Sequence, residues 1–237
     1  MVQALSQSLL YSVYYGWTAL RILATGDYHG NAEAIRKTAS KARSIQADVI
    51  VVCGDITHFG SVRQARELLL VLRDPEHLVL FVPGNCDPPS LTEDIEEIES
   101  IHGKCRQVDS IDFLGVGGSS PTPLGTPFEL AESHISDLLK RGFGGCHIAN
   151  KTVLVSHSPP LNTASDLAFT GEHVGSTSVR KFIERVRPAL ALCGHIHEAR
   201  GIDRINGTVV VNPGPARSGS CALIDVAEAV TVELGHL

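Results

Sequence analysis

The sequence predicts an α/β protein, and three observations carry that prediction. Apolar runs of strand length alternate with helix-patterned segments through most of the 237 residues. Five of these runs each end in a residue that binds metal well. The first three such residues, Asp27, Asp55 and Asn85, recur about every 30 residues, the length of one βαβ unit. Buried parallel strands read as continuous apolar runs, and open α/β sheets hold their ligands beyond the carboxyl ends of the strands.

Taken in order, the run Arg21–Gly26 is the first strand and leads into Asp27 and His29. Asn31–Gln46 reads as a helix with Asn31 as its N-cap. Asp48–Cys53 is the second strand, and its run leads through Gly54 into Asp55. Ser61–Asp74 reads as a helix, with Ser61 at the N-cap and Pro75 beyond its end. Leu78–Val82 is the third strand and leads through Gly84 into Asn85. Residues 91–100 (LTEDIEEIES) read as an acidic, solvated helix. Ile111–Val116 is a strand, and the Gly-, Ser- and Pro-rich stretch Gly115–Thr126 a loop. Ala131–Lys140 reads as a helix and Gly142–Gly145 as a flexible break.

Residues 151–156 resume the strand pattern and deliver His157. Asn162–Ser176 is a long polar loop placed to face a site. Ser178–Val186 is a helix that ends before Pro188. The run Leu190–Gly194 delivers His195 and His197. The tail alternates short strands, Thr208–Asn212, Cys221–Val226 and Val230–Leu234, with turn signals at Asn206-Gly207 and Pro213-Gly214. That pattern predicts an antiparallel second sheet packed on the first.

Residues 1–20 form an N-terminal extension and residues 21–237 one domain. The extension holds Tyr11, Tyr14, Tyr15 and the only tryptophan, Trp17. Leu10, Val13, Tyr14 and Trp17 fit a helical stripe. It reads as a short helix or frayed tail packed on the body; a subunit-contact arm, consistent with a homo-oligomer, and a lid over the site are the alternatives.

A net charge of −6 argues against stable nucleic-acid binding through phosphate contacts. It allows a small phosphorylated substrate, because metal ions supply positive charge locally. No uninterrupted apolar stretch is long enough to span a membrane. Six cysteines occur without a CxxC pair, and no cationic leader opens the chain, so a reducing cytoplasm is the expected compartment. Cys53 and Cys193 read as buried small hydrophobes. Cys105, Cys146 and Cys221 are scattered and give no pattern. His77, His102, His134, His147 and His236 have no metal-binding company and read as surface residues.

If the runs are neighbouring strands, seven donors converge on one rim: two carboxylates, one amide and four imidazoles. Carboxylate, imidazole and amide ligands suit transition dications better than calcium. Neither a G-x-x-x-x-G-K-[ST] phosphate loop nor a G-x-S-x-G elbow is present.

The ordered set Asp27-x-His29, Gly54-Asp55, Gly84-Asn85-x-Asp87, His157 and Gly194-His195-x-His197 resembles the calcineurin-like metallophosphoesterase superfamily. The stretches Gly117–Pro123, Thr126–Glu129, Ser156–Pro160, His173–Ser176 and Cys193–Gly201 are similar to Icc-related phosphoesterases of bacteria and archaea. The resemblance runs from about Arg21 to Asp225 and implies a four-layer αββα sandwich with two mixed sheets. It implies two divalent ions, manganese first, with iron, zinc, nickel or cobalt as alternatives. Asp27, His29 and His197 would hold one ion, Asn85, His157 and His195 the other, and Asp55 would bridge both. A metal-bridging hydroxide would then attack phosphorus, with no protein nucleophile.

One departure stands out. Many relatives carry histidine after the asparagine, whereas this chain has Cys86. A thiol near its ordinary pKa of about 8.5 is a poor acid for a departing alkoxide. The GNC variant resembles a subgroup that includes phosphodiesterases of activated or cyclic esters, so a diester is favoured over a monoester. His58 follows the bridging Asp55 and could act as acid or substrate contact; a surface role is the alternative. Asp87 resembles a partner that orients a ligand histidine. His173 either faces substrate or is a plain loop residue. Two other readings remain: a phosphomonoesterase on the same centre, and a protein-binding scaffold, which predicts missing ligands.

Overall fold

The apolar runs do pair as strands, and they build two six-stranded sheets in the computed structural model, which describes residues 19–147 and 149–237. The first sheet contains four parallel neighbours: β1 (Leu20–Thr25), β2 (Val49–Val52), β3 (Leu78–Phe81) and β4 (Ile98–Ser100). The second contains β5 (Cys105–Val108), β6 (Ile111–Val116), β7 (Lys151–Ser156), β8 (Leu190–Leu192), β9 (Gly201–Ile205) and β10 (Thr208–Asn212). Its order is β5-β6-β7-β8-β10-β9, parallel from β6 through β10 with antiparallel edges. The last two strands, β11 (Ser220–Val226) and β12 (Val230–His236), return to the first sheet, where β11 runs antiparallel to β1.

Strand alternation divides the core into three parts. Ile22, Ala24, Val49 and Val51 point inward against Phe113, Val153 and Val155 of the other sheet. Leu23, Ile50 and Val52 point outward against Ile35 and Ala39 of α1 (Ala32–Ile45) and Leu68 and Leu69 of α2 (Val62–Leu69). On the far side, Leu114 and Leu154 pack on Ile135 and Leu139 of α3 (Glu132–Phe143) and on Phe182 and Ile183 of α4 (Thr177–Val186). The result is the four-layer αββα sandwich that the resemblance implied. Each fully buried Val, Leu, Ile or Phe among them contributes roughly 1.5–3 kcal/mol.

Local signals behave as expected at α1. The Asn31 carboxamide accepts from the amides of Glu33 and Ala34, both at 3.1 Å. Ser61 likewise caps α2, accepting from Gln64 N at 3.2 Å. That helix is shorter than predicted: it stops at Leu69 and continues as one 3₁₀ turn, Leu70–Leu72.

Several expectations need correction. Residues 91–100 are not a helix: Leu91, Ile95 and Ile98 are buried in the core, and the chain turns at Glu96 (φ 53°) into β4. The tail does not form its own sheet, because β10 pairs with β8 while β11 and β12 extend the first sheet. Strands β5 and β9 lie in stretches with no predicted strand. Gly142 is the buried penultimate residue of α3 rather than part of a break. His77 and His102 are buried. His77 Nε2 bonds Leu72 O at 3.0 Å, and His102 Nδ1 accepts from Gly117 N at 3.0 Å. Cys105 and Cys146 form a disulfide across 41 residues, at odds with the reducing compartment the cysteine pattern predicts.

The predicted extension lies almost wholly in residues 1–18, outside the described residues. Among the described residues no helix is long and apolar enough to cross a membrane.

Candidate metal centre

Parallel β1, β2 and β3 bring Asp27, Asp55 and Asn85 to one edge of the first sheet. β7 and β8 bring His157, His195 and His197 to the adjoining edge of the second. The loops are stitched together by backbone bonds: Asp27 N donates to Gly54 O (2.9 Å), His29 N to Asp55 O (2.9 Å) and Gly194 N to His157 O (3.1 Å). The ligand loops are tightly coiled. Asp27, His29, Asp55 and His195 all have positive φ, from 47° to 71°. Non-glycine residues in that region cost energy, and such strain concentrates at functional sites.

The two turns must also approach closely. A Cβ on Gly54 would sit 2.4 Å from His157 Nδ1, and one on Gly84 2.1 Å from Asp55 Oδ1. Only glycine lets these loops meet.

All seven predicted donors gather here. The ligand atoms of Asp27, His29 and His197 lie within 4.8 Å of one another, and so do those of Asp27, Asp55 and His157. Asp55 reaches both sides, with Oδ2 3.6 Å from His29 Nε2 and Oδ1 3.6 Å from His157 Nε2. Asn85 Oδ1 is 2.8 Å from His157 Nε2 and 2.8 Å from His195 Nδ1.

The donor set fits a bound cation pair by its hydrogen bonding. His157 Nδ1 lies 2.7 Å from Cys53 O, a carbonyl that can only accept, so this ring nitrogen carries the proton. The other ring nitrogen, Nε2, faces Asn85 Oδ1. The amide orientation is fixed too: Nδ2 donates to Thr126 Oγ1 at 3.0 Å, and Thr126 Oγ1 donates to Glu129 at 2.8 Å. Across the site, His29 Nε2 faces His197 Nε2 at 3.1 Å, two ring nitrogens of which only one can donate. Imidazole nitrogens, carboxylate oxygens and the Asn85 amide oxygen thus converge on one rim, a donor set that suits a dication.

The electrostatics agree. Burial drives the His195 pKa to about 3 and that of His29 to about 4, so both rings are neutral and able to ligate. Burial raises Asp55 to about 6. Burial also opposes charge on Asp27, yet His197 and the other imidazoles outweigh it and hold this carboxyl below its ordinary value. The reciprocal effect of Asp27 raises His197. Burial, with Asp55 next to it, pushes the Cys86 thiol well up, so it remains protonated at neutral pH.

Three other predicted residues behave differently. The exposed His58 lies at the rim, its Nδ1 3.4 Å from His29 Nδ1, stacked on Phe59. Its ligand atom, that of His29 and the Cys86 sulfur also lie within 4.8 Å of one another. Asp87 orients no histidine. Its buried carboxylate accepts from the backbone of Ile56 (3.0 Å), Thr57 (2.7 Å) and Gly84 (2.8 Å), tying the Asp55 loop to the Asn85 loop. His173 Nδ1 pairs at 2.7 Å with the buried Asp166, which also accepts from Asn162, Thr163 and Gly175. It is therefore a loop-building residue.

Sequence reading missed Thr126 as the holder of Asn85, although its loop was noted. It also missed Arg217, whose Nη2 is 3.2 Å from His197 Nδ1. Nothing in a lone arginine 20 residues past His197 signals that contact.

An αββα sandwich whose strand ends pool carboxylates, imidazoles and one amide is the architecture of a metallophosphoesterase. The chain belongs to the calcineurin-like phosphoesterase superfamily, whose domain it matches over residues 20–229. It is 40% identical over 202 residues to an uncharacterized protein of Methanocaldococcus jannaschii, covering 83% of this chain and 88% of that one. The fold is similar to a Thermus thermophilus crystal structure (TM-score 0.74, 21% identity, 92% of this chain and 99% of that one). It is also similar to a dimetal phosphatase from Danio rerio (TM-score 0.61, 11% identity, 92% and 96%).

Proposed function

We propose that this protein is a binuclear metal-dependent phosphoesterase that hydrolyses a small phosphodiester, of cyclic-nucleotide or similar type. The observation that carries this reading is the convergence of two carboxylates, one amide oxygen and four imidazoles on one rim. Asp27, His29 and His197 would hold one ion, and Asn85, His157 and His195 the other, with Asp55 between them. The ions, manganese first among the candidates, would supply positive charge to the phosphoryl oxygens and a nucleophile from water at neutral pH.

The chain's own residues do the rest. Cys53 O fixes the His157 tautomer, and Thr126 fixes the Asn85 amide. Asp87 locks the two loops that carry Asp55 and Asn85. Proton delivery is the weak point, because Cys86 is a thiol held high in pKa. A poor acid favours esters whose leaving group needs little protonation, which supports diester over monoester. His58 at the rim is the group we assign to protonate or contact the leaving oxygen.

Hydrolysis of an aryl phosphodiester beside its aryl monoester tests this, on chelated and on Mn-reconstituted protein, with Asp55→Asn as control. Turnover restored by metal, higher for the diester and absent in the control is the expected result. Preference for the monoester would overturn the diester assignment. Two bound ions without turnover on either ester would instead point to a narrow substrate or to the scaffold role.

A further inference from the structure

A groove of about 450 Å³ opens beside the His29–His197 side of the centre. Its lining includes His29, Gly30, Asn31, His58, Arg217 and Ser218 and contains no carboxylate. Arg217 is the permanent cation in it.

This arginine is built into the metal-ligand loop. Its backbone N donates to Asp27 O at 3.3 Å, and its backbone O accepts from Asn31 Nδ2 at 3.3 Å. The preceding Ala216 N donates to Gly26 O at 2.9 Å. The backbone is thus fixed against the Asp27-x-His29 turn, while the side chain is exposed and, among the described residues, forms no salt bridge. Among the described residues its guanidinium bonds the outer nitrogen of His197, at 3.2 Å.

That contact cannot coexist with ligation. The inner nitrogen of His197, Nε2, faces Asp27 Oδ1 at 3.5 Å. When a cation takes Nε2, the ring proton resides on Nδ1. A guanidinium only donates, so it then meets another donor and the bond lapses. With a cation on Nε2 the arginine would be free to turn into a groove whose lining holds no carboxylate.

We propose that Arg217 is the anion anchor of the substrate. Released from His197, its fork holds phosphate oxygens of an ester whose charged group extends from the centre into this groove. Arginine suits the task because its planar fork matches phosphate bidentately. The proposal rests on the phosphoesterase reading for its substrate class, but the binding test below does not need turnover.

The test is calorimetric titration of inorganic phosphate into full-length, Mn-loaded protein, comparing wild type with Arg217→Met and Arg217→Lys. Manganese affinity is measured on each variant first. The expected result is unchanged manganese affinity and a loss of phosphate affinity of roughly ten- to a hundred-fold in Arg217→Met, with partial retention in Arg217→Lys. Hydrolysis, if present, should show the same loss mainly in KM. Phosphate affinity equal to wild type in Arg217→Met overturns the proposal. So does a parallel loss of manganese affinity, which would make the residue a support of the centre. If wild type binds phosphate through Arg217 yet cleaves no ester, the anchor stands and the hydrolase reading falls.

Discussion

His157 donates from Nδ1 to the carbonyl oxygen of Cys53, at 2.7 Å, across the boundary between the two sheets. One bond does two things. It ties the end of β7 to the end of β2, and it selects the tautomer that leaves Nε2 free to ligate.

The same junction tolerates no side chain at residue 54. Gly54 has φ +99°, and an added Cβ would meet His157 Nδ1 at 2.4 Å and Gly84 N at 2.8 Å. Gly54→Ala should therefore cost about 2 kcal/mol or more in folding stability. It should also lower metal affinity, because His157 must move. Denaturant unfolding of the apo protein, with metal titration, measures both.

Thr126 touches no predicted ion, yet it orients Asn85. Burial disfavours charge on Glu129, but its bonds from Thr122 and Thr126 outweigh this and hold its carboxyl at about 2, so Thr126 has a steady anionic acceptor. Thr126→Val keeps the shape and removes the hydroxyl. We expect a loss of metal affinity of about 10–100-fold with little change in unfolding midpoint. Unaltered affinity would show that the amide needs no such support.

Stability should weaken in mild acid through His102. Burial, with Arg141 and Lys104 nearby, lowers its pKa from 6.5 to about 4. Its Nδ1 accepts from Gly117 N, which requires a neutral nitrogen there. The folded state binds this proton more weakly than the unfolded state does. The stability it confers is complete above pH 6.5 and is lost as pH falls toward 4, by up to about 3 kcal/mol. His102→Gln should flatten that part of the pH–stability curve, read from denaturant unfolding between pH 4 and 7.

Leaving-group chemistry separates the roles of His58 and Cys86. If the rim histidine delivers the proton, His58→Gln should slow alkyl esters by roughly 100-fold and activated aryl esters far less. Cys86→Ala should change either by no more than about threefold, because a thiol held protonated gives little acid help. A steep loss in Cys86→Ala would reverse the assignment.

Much of this was legible in the sequence. Continuous apolar runs marked the buried parallel strands, and the residue after each run marked the rim. Asn31 and Ser61 announced their helices because capping is local chemistry. The failures are those where tertiary contact decides. Leu91, Ile95 and Ile98 have helical spacing, but pairing of β4 with β3 overrides it. The strands β5 and β9 are sheet edges, where residues such as Arg106, Gln107, Asp203 and Arg204 mask any apolar run. Cys105 and Cys146 meet only because β5 packs beside the end of α3. Asp87 sits in a ligand-like motif, yet folding aims it at three backbone amides. Arg217 reaches His197 through a turn whose conformation no local pattern encodes.

Metal stoichiometry tests the central claim most directly. Chelated protein dialysed to equilibrium against manganese should hold two ions per chain, and Asp55→Asn fewer than two with its fold intact. One ion or none in the wild type, or two undisturbed ions in Asp55→Asn, would contradict a binuclear centre bridged by Asp55.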